Sequence, residues 1–219
     1  MSANSESIKQ MLASEDLGER LRAVNQIREL EDKKIAFELA QTAIKDRNTR
    51  VRYAAVSQMD TLGGQDLQKS LELLLESLHN DPEPDVQAAA ADCLGALKLT
   101  EAFEDLQKLY YSTPEWLVKF SIVATLGELG DPRSFDLLTE ALNSDNDLVQ
   151  TAAISSLGEL GDFRAVELLV PYATNADWQI RYRVVQAMSS LGGDRARATL
   201  ESLAKDDVEA VAKEAQSYL

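Results

Sequence analysis

A single apolar column, repeated along the chain, constrains this sequence more than any other feature. The segments "VRYAAVSQMDTLGG" from Val51, "VKFSIVATLGELGD" from Val118, "VQTAAISSLGELGD" from Val149 and "IRYRVVQAMSSLGG" from Ile180 are variants of one pattern. Taking the first residue of each as position 0, the apolar residue at +8 recurs as Ile27, Met59, Leu94, Leu126, Leu157, Met188 and Leu219, at spacings of 32, 35, 32, 31, 31 and 31 residues. Position +11 is Leu30, Leu62, Leu97, Leu129, Leu160 and Leu191. Apolar residues at 0, +4, +8 and +11 form one stripe of an α-helix turning 100° per residue. Gly130, Gly161 and Gly192 follow the stripe where a left-handed residue would end the helix. Asp131 and Pro132 then offer a cap and a first turn for another helix, and a shorter apolar pattern follows, Phe135, Leu138 and Leu142 in one copy and Leu168, Leu169 and Tyr172 in the next. The spacing therefore predicts two antiparallel helices per copy. About fourteen helices in seven pairs run from a short one around Ile8, Met11 and Leu12 to one ending at Leu219, with no strands. Neither helix of a pair can bury its stripe alone, so the pairs must stack into a solenoid with one continuous core.

Composition narrows the function classes. With 45% hydrophobic and 27% charged residues over 219 positions, the chain can bury a core as one array, residues 1–219. No apolar run approaches the roughly 18 residues of a membrane span. The amino terminus "MSANSESIKQ" lacks the basic and apolar regions of a secretory signal, so the expectation is a cytoplasmic protein without membrane insertion. A formal charge of −15 argues against nucleic acid, whose phosphates demand concentrated Lys and Arg. Residues 1–54 hold 10 Lys/Arg and 9 Asp/Glu, residues 55–219 hold 12 and 28; this acidity serves solubility or orients a partner. Cys93 and His79 are the only residues of their kinds, which leaves an internal disulfide and an ordinary zinc site without ligands.

The pattern resembles HEAT repeats in their short form of about 30 residues. Small pairs such as Ala54–Ala55, Ala89–Ala90 and Ala152–Ala153 let helices approach, and Pro171 within a first helix is similar to the kinking proline of that family. The fold class expected is all-α, a right-handed α-solenoid of about seven short HEAT-like pairs. The third copy departs: Lys98, Leu99 and Thr100 replace the Gly-Asp step and "NDPEPD" at 80–85 lengthens the turn, so a local change of curvature is expected around 78–100. The resemblance implies that the second helix of each pair lines a concave face.

On that helix, positions −2 and +2 point about 120° and about 160° away from the core direction. They hold Trp116 with Phe120, Trp178 with Tyr182, and Tyr53. Exposed rings at i and i+4 supply stiff, partly apolar contact area for a ligand or partner; the alternative is a Trp folded over the preceding turn of its own repeat. Position +1 holds Arg20, Arg52, Lys119 and Arg181, with Gln87 and Gln150 between. HEAT proteins commonly stack such residues against acidic neighbours as a ladder. The other reading is an anion site, since "RVRY" at 50–53 and "RYR" at 181–183 set Arg52 and Arg181 beside the rings, as a flat ligand with carboxylates would need. Cys93 reads as packing, not as a nucleophile, and His79 as a cap for its own helix end. Of Tyr110 and Tyr111, one packs and the other shows. The carboxylates of the turns read as helix caps, and no pair is marked for acid–base work.

A narrower likeness is carried by "SEDLGERLRAVNQIREL" (14–30), "DVQAAAADCLGALKLTEAF" (85–103), "STPEWLVKFSIVATLGELGDPRSF" (112–135) and "WQIRYRVVQAMSSLGG" (178–193). In these the chain resembles the cyanobacterial group of E/F-type phycobilin lyases and the phycobilisome-degradation protein of the non-bleaching B type. That resemblance implies phycobiliprotein subunits of the phycocyanin or allophycocyanin type as partners and an open-chain bilin, phycocyanobilin, as ligand. It implies a binding role in dismantling antennae, or alternatively a lyase component attaching bilin to a subunit cysteine. Outside that group, a repeat of this kind serves as a general interaction scaffold. No catalytic residue is carried over.

Overall fold

The protein was analysed as a computed structural model, which describes residues 4–219; the first three residues of the amino terminus read above lie outside it. Among the described residues every element is helical: α1 Ser5–Leu12, α2 Leu17–Glu29, α3 Lys33–Ala43, α4 Thr49–Val56, α5 Met59–Leu62, α6 Leu67–Asn80, α7 Pro84–Ala96, α8 Phe103–Ser112, α9 Trp116–Leu129, α10 Ser134–Ala141, α11 Asp147–Leu160, α12 Ala165–Leu169, α13 Trp178–Leu191, α14 Gly193–Leu203 and α15 Glu209–Gln216. Short 3₁₀ segments join at Gly63–Gln65, Thr100–Ala102 and Val170–Thr174. With α4 and α5 as halves of one helix and the last 3₁₀ segment continuing α12, the elements form the seven expected pairs. Pro171 falls at the start of that segment, where its missing N–H ends the α-helical ladder.

The chain divides into two compact units, Met1–Ser121 and Ile122–Leu219, the division falling inside α9. In the first unit α2 packs on α4 and α4 on α7, with the first helices α1, α3 and α6 laid against them. Its core is the predicted stripe: Ala23, Ile27, Val51, Ala55, Met59, Val86, Ala90 and Leu94 are all withdrawn from solvent. In the second unit α11 packs on α13 and α13 on α15, with α10 and α14 alongside. Ile122, Leu126, Val149, Ala153, Leu157, Val184, Met188 and Val211 form its interior. Burying each large aliphatic side chain stabilises the stack by roughly 1.5–3 kcal/mol.

Two small-residue positions set the helix spacing. A Cβ built on Gly127 would lie 2.6 Å from the Ser156 Cα, and one on Gly158 2.6 Å from the Ala187 Cα. Position +9 of one second helix thus presses its backbone on position +7 of the next. At +7 in the first unit stand two larger groups, and both bond the neighbour's position +5: Gln58 Nε2 donates to the Val24 carbonyl (2.9 Å) and Cys93 Sγ to the Val56 carbonyl (3.2 Å). The sequence predicts an unbroken second helix from Val51. The structure interrupts it at Ser57–Gln58, because the long Gln58 amide enters a slot that Cys93, Ser156 or Ala187 fills in other copies, and the Val56 carbonyl passes from the helix ladder to Cys93.

Helix ends follow the expected chemistry with two adjustments. Gly130 and Gly161 have φ of 68° and 73°, and Lys98, which stands where those glycines do in the irregular third copy, adopts φ 54° at a cost of about 1–2 kcal/mol. Asp131 does not cap α10 directly. Its carboxylate accepts the Arg133 N–H (2.9 Å) in a turn before the helix begins at Ser134, and Asp162 does the same for Arg164 (3.0 Å).

Candidate functional site

The expected rings stand on the second helices where the register places them. In the first unit Tyr53 on α4 and Trp116 at the start of α9 are each 47% exposed, and Phe120, one turn beyond Trp116, is half-buried. In the second unit Trp178, at the first turn of α13, is 43% exposed and Tyr182 half-buried. Both indoles thus keep a large share of their surface in solvent. Burial and the Glu214 carboxylate push the Tyr182 phenol up, and the Tyr218 hydroxyl donates to the same carboxylate (3.1 Å).

The guanidinium groups have a different occupation. Arg52 Nε and Nη2 donate to the two Asp81 oxygens (2.6 and 2.9 Å), and Nη1 to the Asp46 carbonyl (3.1 Å). Arg181 grips Asp206 through the same two nitrogens (2.6 and 2.8 Å) and the Asn175 carbonyl through Nη1 (2.8 Å). Arg20 bonds Asp46 and the carbonyls of Ser14 and Glu15. These arginines form a ladder that ties each pair to the turn before it and the turn after it. Arg52 and Arg181, placed beside the rings by the sequence as partners for a ligand's carboxylates, have their donors engaged within the chain.

The ladder has a second half that the sequence reading missed. Position −5 of every copy is a turn residue whose side chain accepts the N–H two residues on: Ser14, Asp46, Asp81, Thr113, Ser144, Asn175 and Asp206. Where +1 is arginine, −5 of the next copy is aspartate, as in Arg20/Asp46, Arg52/Asp81 and Arg181/Asp206. Where +1 is Gln87 or Gln150, −5 of the next copy is the neutral Thr113 or Asn175, and the amides donate to the Asp81 and Leu142 carbonyls instead (3.1 and 2.7 Å). The Arg181 hydrogen bonds hold the Asp206 carboxyl below the usual carboxylate range. Lys119 sits 5.2 Å from the centre of the Tyr110 ring.

The remaining candidates resolve into packing. Cys93 is buried and its thiol is pushed up to about 12 by burial first and Asp60 second, so it carries no nucleophilic thiolate at neutral pH. Rather than cap its own helix, His79 places Nε2 2.8 Å from Asp105 Oδ1 and ties α6 to α8. Tyr110 packs and Tyr111 shows, edge to face at 5.4 Å. No group of three or more His, Cys, Asp or Glu among the described residues is arranged to hold a metal ion, and none of the described helices is long and apolar enough to cross a membrane.

Four exposed apolar or aromatic side chains of the second unit were not anticipated: Leu148, Phe163, Tyr218 and Leu219, the last of which the apolar column had assigned to the core. Leu148, 53% exposed, precedes Val149 at position −1, about 140° from the core direction. Phe163, 77% exposed, stands where the preceding turn has Pro132. Setting "GDPR" against "GDFR" would have revealed Phe163.

Comparison with known proteins agrees with the repeat. The family model for HEAT repeats matches residues 71–157 and 140–219. No protein of curated function matches. Among solved structures, the complex of CpcE and CpcF of phycocyanin lyase from Nostoc sp. PCC7120 is similar at 17% identity and TM-score 0.66, over 83% of this chain and 75% of that one. YibA of Escherichia coli is similar at 17% identity and TM-score 0.69, over 98% and 80%. An engineered protein matches at 18% identity and TM-score 0.62, over 98% and 67%. At such identities the likeness is one of fold.

Proposed function

We propose that this chain, which belongs to the HEAT-repeat family, is a binding protein whose ring-bearing second helices engage phycobiliprotein subunits, in a role of the antenna-dismantling type. The observation that carries the reading is the exposure of Trp116 and Trp178 at one register, two copies apart. Large rings left in water on a stacked array lose the stabilisation of burial, and a partner that covers them recovers it. The partner class is supported by the resemblance of residues 14–30, 85–103, 112–135 and 178–193 to the phycobilin lyase and degradation group, and by the fold likeness to the CpcE and CpcF complex. Phycocyanobilin is the second ligand. With Arg52 and Arg181 held by Asp81 and Asp206, its propionates would turn to Arg50, exposed on the same helix as Tyr53.

The test is titration of the purified protein with phycocyanin and allophycocyanin, reading indole emission and co-elution. Binding should weaken at least tenfold in Trp116→Ala/Trp178→Ala, as loss of two central aromatic anchors implies. Phycobiliprotein that neither co-elutes nor shifts the emission overturns the reading. Free phycocyanobilin is tested separately by its absorbance, with Arg50→Gln as the variant expected to weaken it.

The fold likeness to a lyase complex favours one second reading, a lyase component acting with another chain. It requires covalent pigment on an apo-subunit, read as zinc-induced fluorescence on a denaturing gel. A subunit left unlabelled both with and without that second chain disposes of it.

A further inference from the structure

Trp178 and Leu148 do not stand alone. Packing of α11 on α13 and of α13 on α15, with Gly158 against Ala187 and Arg181 bonded to Asp206, puts these three helices in parallel register. Their amino-terminal ends therefore share one edge of the second unit. That edge carries the exposed Leu148 and Trp178 and the exposed carboxylates Asp145, Asp147, Asp177 and Asp207. Its cations are Arg181, withdrawn into the ladder with 14% of its side chain exposed, and Lys205, exposed in the turn just before Asp206, so the four carboxylates still outnumber them. Among the described residues no Lys or Arg pairs with those four carboxylates, whereas elsewhere in the unit Arg133, Arg164, Arg195, Arg197 and Lys213 are each matched to an acid. Residues 122–219 hold sixteen Asp/Glu against eight Lys/Arg, so no general excess of cations offsets this edge.

We infer that this edge is a docking surface for a polypeptide segment that carries lysines or arginines among apolar residues. The indole face and the Leu148 side chain offer the apolar seat, and a cation laid over an indole gains further attraction from the ring. The four carboxylates surround that seat with the charge that selects a cationic segment and repels anions. Bilin carboxylates, phosphates and anionic lipid are thereby excluded from Trp178. The inference rests on the reading of the ring faces as contact surfaces and names the partner chemistry at one of them: protein, not pigment.

The experiment uses the full chain with Trp116→Phe, so that Trp178 alone reports. The probe is a synthetic amphipathic peptide of alternating Lys and Leu blocks, with a Glu-for-Lys peptide as control. The Lys peptide should give a saturable blue shift that weakens as salt rises, and the Glu peptide none. The fourfold variant Asp145→Asn/Asp147→Asn/Asp177→Asn/Asp207→Asn should bind the Lys peptide roughly tenfold more weakly, each rim charge being individually small. An asparagine amide caps a helix about as well as the carboxylate it replaces, so the start of α13 stays folded in that variant. An equal loss on neutralising Glu29, Glu31, Glu38 and Asp136, which lie elsewhere, would reduce the effect to net charge and overturn the inference, as would a Glu peptide that binds equally. If phycobiliprotein fails to bind while the Lys peptide binds with this dependence, the proposed partner falls and the docking surface stands. If phycobiliprotein binds and the fourfold variant binds it equally, the docking surface falls.

Discussion

Replacing Arg181 by glutamine separates the two uses suggested for that arginine. The Arg181 and Asp206 side chains are 14% and 8% exposed, and the guanidinium also holds the Asn175 and Ala176 carbonyls. Removing one partner of a buried ion pair costs about 3–5 kcal/mol. The slight exposure screens the charge, and glutamine can keep one carbonyl bond, as Gln150 does with Leu142 at 2.7 Å. Arg181→Gln should therefore cost about 2–4 kcal/mol, toward the lower end of that range. Asp206→Asn preserves the bond from the Val208 N–H (2.9 Å) and should cost about 1–2 kcal/mol. The double variant reproduces the Gln150 and Asn175 combination that the chain already uses one copy earlier. It should recover about 2 kcal/mol relative to the sum of the single changes.

Thermal unfolding followed by far-UV circular dichroism reads this directly. At about 2–4 °C per kcal/mol for a chain of this length, Arg181→Gln should lower the midpoint by roughly 4–16 °C, with α15 melting first because the lost pair ties the turn before it to α13. The folded-state carboxyl of Asp206 titrates below its unfolded value. Its contribution is thus full above the unfolded carboxylate range and drains as pH falls through the folded value. The advantage of the native pair over the double variant should be complete at pH 7 and shrink below about pH 4. Strictly additive single changes would refute the ladder and return Arg181 to the list of groups available to a ligand.

The other expectations are shorter. Gly158→Ala, whose new methyl would meet the Ala187 Cα at 2.6 Å, should destabilise by about 1–3 kcal/mol, whereas Gly64→Ala, with open space around it, should not; urea titration compares them. Lys98→Gly relieves the φ of 54° and should raise stability by about 0.5–1 kcal/mol in the same assay. Cys93, with its thiol pushed up to about 12, should resist a disulfide-exchange reagent at pH 8 and react at once in denaturant; prompt reaction of the native protein would contradict its burial.

Most of the fold was legible because its cause is periodic. The stripe at 0, +4, +8 and +11 required only the recurrence of Ile27, Met59, Leu94, Leu126, Leu157, Met188 and Leu219, and all of these are buried except Leu219, which follows the last turn of α15 and is 47% exposed. What escaped was set by single residues acting across copies. Gln58 looks like one more helical residue until its slot is known to accept Cys93 or Ser156, and only then does the break between α4 and α5 have a reason. The rings were found by helical angle, because exposure on an isolated helix depends on angle alone. For Arg52 and Arg181 the same method left ladder and anion site both open. Angle shows that a guanidinium can reach outward, whereas its occupation depends on a residue about 25–30 positions away, Asp81 or Asp206. That signal was in the sequence: arginine at +1 is followed by aspartate at the next −5, and glutamine by a neutral residue. Such a match concerns the pair and not the single position, which is why aligning the copies one under another hides it and reading from each copy into the next exposes it. The consequence reaches the proposed contact, because once the ladder claims these arginines, the exposed charge at the first turn of α13 is the Asp177 carboxylate, and it is on this acidic surrounding that the cationic partner proposed for Trp178 rests.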